Sequence, residues 1–121
     1  MDKIKIQKRK GFRYFSYKLD LFSVNYVNFI ITDNYEPVKK RFDLEFEVDS
    51  TSVACSIYDT EQNFVGIILT EKANLDSLVH ECVHIAVGIM DHANIPITEE
   101  NDEVLAYLVE KLFNIGKQLF A

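Results

Sequence analysis

Tryptophan is absent from this 121-residue chain, which holds only two cysteines, two prolines, four glycines and three histidines. Each scarcity excludes something. Cys55 and Cys82 are too few to staple a fold of this size, so the chain needs an apolar core and suits a reducing compartment. Few glycines and prolines, with no shift in composition, leave no candidate linker or low-complexity tract. No apolar run approaches the roughly 18 residues that span a bilayer, so no membrane segment is expected. The start, MDKIKIQKRKGF, is basic but has no hydrophobic stretch behind it, unlike a secretory signal. A single cytoplasmic domain over residues 1–121 is the expectation, because half this length would hold no core of its own.

What is present suits that domain. Hydrophobic residues make up 48% of the chain and aromatic ones 12%, enough to fill a core. The net charge of −6 is unevenly placed, because residues 1–10 carry +4 and the remainder −10. An acidic body argues against nucleic acid as the main partner. The basic start reads as a solvated, frayed terminus.

The first half has the two-residue alternation of strands. Phe15, Tyr17, Leu19 and Leu21 alternate with polar neighbours, and Val24–Thr32 is rich in β-branched and aromatic residues. Residues 33–37 signal a turn. Phe42, Leu44, Phe46 and Val48 alternate with acidic residues, so Val38–Val48 reads as an amphipathic strand, with a short helix over Glu36–Phe42 as the alternative. Val53, Cys55 and Ile57, the polar turn Asp59–Asn63 and the apolar run Phe64–Leu69 read as a hairpin.

From Asn74 the period changes to that of a helix. Leu75, Leu78, Val79, Cys82, Ile85, Ala86 and Ile89 mark one side, and Val83, Val87 and Met90 fill most of the other. A helix apolar nearly all round is expected to be buried. Asn74 suits its N-cap, and its end falls between Met90 and Asn94. Thr98 suits the N-cap of a second helix running to about Leu119, with Val104, Leu105, Leu108, Leu112, Ile115 and Leu119 on one face. The fold class is therefore α+β: an N-terminal, mostly antiparallel sheet followed by two C-terminal helices.

The string that carries chemistry is His80-Glu81-Cys82-Val83-His84. Residues four apart on a helix share a face, so both imidazoles project together, as zinc ligation needs. Glu81 lies about 100° from His80 and 60° from His84 around the axis, so it can miss a metal yet reach a water beside it. That is the arrangement of a general base acting on a metal-polarised water. By composition the pattern arises by chance in roughly one chain of several hundred, mostly in loops or on solvated helices. Here it falls in an apolar helix, where three unpartnered polar groups would cost several kcal/mol. Cys82 points about 120° away from His84 and reads as a core thiol.

The third ligand is more open. His92 does not fit the extended metzincin spacing, which wants Gly at position 87 and His at position 90, where this chain has Val87 and Met90. Among the acidic residues 99–103, most suit the first turn of a helix through its dipole, but Glu103 lies deeper. His80-Glu81-x-x-His84 followed by Glu103-x-x-Ala106-Tyr107 resembles the gluzincin peptidases, and the layout is similar to short phage and prophage zincin-like proteins. The resemblance covers His80 to Tyr107. It implies Zn2+ held by His80, His84 and Glu103, with Glu81 as general base and acid. Glu100 is the alternative third ligand. Several gluzincin families carry Asp where this chain has Tyr107; the tyrosine either steadies an oxyanion or is a half-buried helix residue. The resemblance further implies a peptide or protein substrate, docked along an edge strand beside the metal helix, for which Phe64–Leu69 is the candidate, with an ordinary core strand as the alternative reading of that segment. A zinc-stabilised binding protein or phage-encoded inhibitor, without turnover, is the rival reading.

Overall fold

The structure is a computed structural model and describes residues 4–21, 24–49 and 51–120. Five strands form one mixed sheet: β1 (Gln7–Arg9), β2 (Phe12–Leu21), β3 (Val24–Thr32), β4 (Ala54–Asp59) and β5 (Phe64–Leu69). Their order across the sheet is β1-β2-β3-β5-β4, antiparallel throughout except for the parallel pair β3–β5. Three helices complete the chain: α1 (Tyr35–Phe42), α2 (Leu75–His92) and α3 (Asp102–Gly116), with a 3-10 turn at Lys117–Phe120. The α+β class and the hairpin of β4 with β5 agree with the sequence. No helix among the described residues is long and apolar enough to cross a membrane.

The sheet is covered on both faces, and strand alternation sorts the side chains. Phe15 and Leu19 of β2, Val27, Phe29 and Ile31 of β3, and Val65, Ile67 and Leu69 of β5 pack with Leu78, Cys82, Ile85, Ile89, Leu108 and Leu112. The residues between them, Phe12, Tyr14, Ile30, Phe64 and Ile68, form a smaller second core with Val38 and Leu44. A strand buried on both faces loses polar alternation, which explains the continuous apolar run of β5.

Three expectations change. The terminus is not frayed at Gln7–Arg9, which pairs with β2 through a turn at Gly11, where φ is +90°. Val38–Val48 is not a strand. Asn34 caps α1 by accepting from the Glu36 N–H, and the chain leaves the helix through Asp43, a left-handed residue at φ 55°. Beyond it Leu44 and Phe46 pack beneath the sheet without joining it, while Gln62 bonds Glu45 through both backbone groups, accepting from its N–H at 2.8 Å and donating to its carbonyl. Finally, α3 starts later than Thr98. Residues 98–101 make a turn closed by the Asn101 N–H on the Thr98 carbonyl, and Asn101 takes the cap position without a side-chain cap bond.

Candidate metal centre

The helix that carries the motif is fixed at both ends. At its start, Asn74 accepts from the Ser77 N–H while the Ser77 hydroxyl accepts from the Asn74 N–H, a reciprocal capping box. At its end Asn94 turns left-handed at φ 60°, and the Ile95 N–H closes on the Met90 carbonyl at 2.9 Å. His92 is the last helical residue, with its ring 6.1 Å from that of Tyr58. Gly88 sets the approach of α2 to β4: a Cβ there would lie 2.8 Å from the Tyr58 ring. The side of α2 bearing Gly88 therefore faces β4.

The expectation of a helix buried all round is corrected here. Leu78, Cys82, Ile85, Ala86, Ile89 and Met90 have no exposed surface, but Leu75, Val79, Val83 and Val87 are 36–48% exposed. His80 and His84 stand on this open face. Cys82 is a core thiol as expected, and burial, followed by the nearby Glu81 carboxylate, pushes its pKa up to about 12.

His80 and His84 place their Nε2 atoms 3.3 Å apart, with the rings at 70°. Two imidazoles on one zinc, at about 2.0–2.1 Å each and a tetrahedral angle, have nitrogens about 3.3 Å apart. The separation suits a shared metal shell, and equally an N–H···N hydrogen bond between the two rings in the absence of a metal. Glu81 completes the group, since one ligand atom from each of the three residues lies within 4.8 Å of the others. Its residue is only 8% exposed, and it accepts no hydrogen bond from a described residue. A carboxylate that no donor engages, beside two imidazoles, offers a cation a negative charge as well as two nitrogen ligands. The donor set thus fits a zinc ion on geometry and on charge.

Glu81 also makes itself felt across the edge strand. Cys55 of β4 is pushed up to about 11 by burial and then by Glu81. Tyr35 at the start of α1 is raised by burial first, then by Cys55 and Glu81, and its hydroxyl is buried without a hydrogen-bond partner. Nothing in the motif points to Tyr35, which is 46 residues upstream of Glu81; only the fold brings the two into electrostatic range.

The group within ligand distance does not include Glu103 or Glu100. Lys111 of α3 lies over the Tyr17 ring of β2, so that flank of α3 faces β2. Tyr107 is about 40° and Glu103 about 80° from Lys111 around the helix axis. Both side chains accordingly line an apolar hollow of about 310 Å³ with Leu21, Val104 and Leu108, on the β2 side. Tyr107 is 57% exposed. The docking strand also moves. β5 is paired on both edges, and the free edge belongs to β4, directly beside α2.

Compared with protein-family models, with curated proteins and with solved structures, the chain matches none.

Proposed function

We propose that this chain is a zinc-dependent, metallopeptidase-like hydrolase, with His80 and His84 holding the metal and Glu81 serving as general base. The observation that carries the reading is the 3.3 Å Nε2–Nε2 separation on one open helix face, with the Glu81 carboxylate within 4.8 Å of both rings. Bound there, zinc supplies Lewis acidity to a water and to the peptide carbonyl. The Glu81 carboxylate takes a proton from the attacking water and hands it to the leaving amine nitrogen. An extended peptide pairs with the free edge of β4, whose unpaired N–H and C=O groups run alongside α2.

A second reading is a binding protein that keeps zinc without turnover, and one observation favours it. The third protein ligand expected from α3 is not in the group. A single pair of measurements separates the readings. Native chain purified without added metal is analysed for zinc, and Glu81→Gln is assayed for zinc content and for peptide cleavage. The hydrolase reading expects zinc in both proteins and cleavage only in the parent. Zinc in both with no cleavage in either selects the binding protein, and no zinc in the parent sinks both.

A further inference from the structure

The group on α2 is open in a way that one chain does not close. Two imidazoles lie at the spacing of a tetrahedral edge, both are exposed, and only Glu81 among the other described His, Cys, Asp and Glu residues joins them. A closed zinc site takes four ligands. The same open face carries Val79, Val83 and Val87 at four-residue intervals, each more than a third exposed, while exposed Leu75, at the helix start, lies about 180° from His84. An apolar row along a helix marks a surface that something covers.

The layout of this face is self-complementary. The apolar row is centred on residue 83 and the histidine pair on residue 82. A two-fold axis crossing α2 at that level lays a second α2 antiparallel on the first. With the axis level with residue 82, each His80 stands level with the second copy's His84, and the two Val83 side chains lie about 3 Å apart along the helix axis. Such isologous pairing is the commonest route to a symmetric dimer. The area decides what holds it. An 18-residue helix is about 27 Å long and about 10 Å wide, so its face offers roughly 270 Å², against about 800 Å² per partner in a stable interface. The apolar row alone is too small, and the metal must supply the rest.

We propose that two copies of this chain associate through α2 around one shared zinc ion, each contributing His80 and His84. This rests on the metal reading of the histidine pair and not on turnover. With four imidazoles around the ion no position is left for water or substrate, so the dimer is the silent form of the site and the monomer the open one.

The test is the mass of the untagged chain by sedimentation equilibrium as zinc is titrated in, with bound zinc measured on each species. The expected result is a monomer in EDTA and a dimer holding one zinc per two chains. Val83→Asp, at an exposed position and checked for fold by circular dichroism, weakens the association by roughly tenfold or more. A monomer that binds one zinc per chain overturns the inference and leaves the metal site standing. A dimer indifferent to EDTA or to Val83→Asp also overturns it. If Glu103→Gln strips zinc from a monomer, the shell closes within one chain and the inference fails in favour of the gluzincin arrangement. Absence of bound zinc removes this inference and the hydrolase reading together.

Discussion

Along α2, Leu78, Cys82, Ile85 and Ile89 have no exposed surface, while Leu75, Val79, Val83 and Val87 each keep more than a third of theirs. Both rows are apolar, so hydrophobicity does not distinguish them. The difference lies in what stands opposite. The first row meets the sheet and α3, where Leu78, Phe29 and Gly116 come within contact distance of one another. The second row is only partly covered, and its Val83 and Val87 lie beside His80 and His84. An apolar residue on a helix is a statement about what it can pack against, and only the fold says whether packing happens there.

The contrast is open to experiment, and the largest effect should come from its two halves measured together. Ile85→Ala should cost about 2–5 kcal/mol in urea denaturation, because a fully buried side chain leaves a cavity. Val83→Ala, measured on the zinc-free chain, should stay within about 0.5 kcal/mol. Equal costs would mean that the open row is covered within the single chain. Gly88→Ala comes next. The added methyl meets the Tyr58 ring at 2.8 Å, so α2 and β4 must part or the ring must swing, at about 1–3 kcal/mol. An unchanged melting temperature would show that Tyr58 moves aside freely.

The smallest effect concerns the two thiols. Burial holds Cys55 near 11 and Cys82 near 12, so at pH 8 the thiolate fraction of either is about a thousandth or less. Iodoacetamide should label the native chain slowly, with Cys82 the slower, and the unfolded chain quickly. The same shifts carry a sign for stability. The folded chain binds these thiol protons more tightly than the unfolded one, so their contribution is full below about pH 9 and is lost as pH rises through the folded values. Rapid native labelling at Cys82 would mean that the buried row of α2 opens often.

Much of this architecture is legible in the residues. The hairpin of β4 with β5 follows from two apolar runs around Asp59–Asn63, and the start of α2 follows from Asn74. Where the reading departs from the structure, the cause is the same each time: a local pattern has more than one tertiary use. Phe42, Leu44 and Phe46 alternate with acidic residues because they half-bury themselves beneath the sheet, which a strand and a pinned, extended loop do equally well. Thr98 is a good cap, but the helix begins only after the turn that ends at Asn101. β5 reads as a strand, yet whether a strand lies inside or at the edge depends on pairing that comes from elsewhere in the chain. The histidine pair is legible because both ligands sit on one helix, four residues apart. Whether Glu103 reaches them is not, because that depends on the rotation of α3 about its own axis.

The connection between β5 and α2 is only five residues, 70–74. It is tied by the Thr70 N–H and hydroxyl on the Val53 carbonyl, by the Ala73 N–H on Thr70 and by the reciprocal cap at Asn74. It works as the dial that sets the phase of the helix. One residue added here, with the capping register carried along, turns α2 by about 100° relative to the sheet. His80 and His84 would then rotate towards the core or towards α3, and apolar residues would be thrown out to water. Exposed Lys72 can therefore change in kind with little consequence, whereas Glu71 is tied to Arg13 of β2 at 2.9 Å, and the number of residues here cannot change.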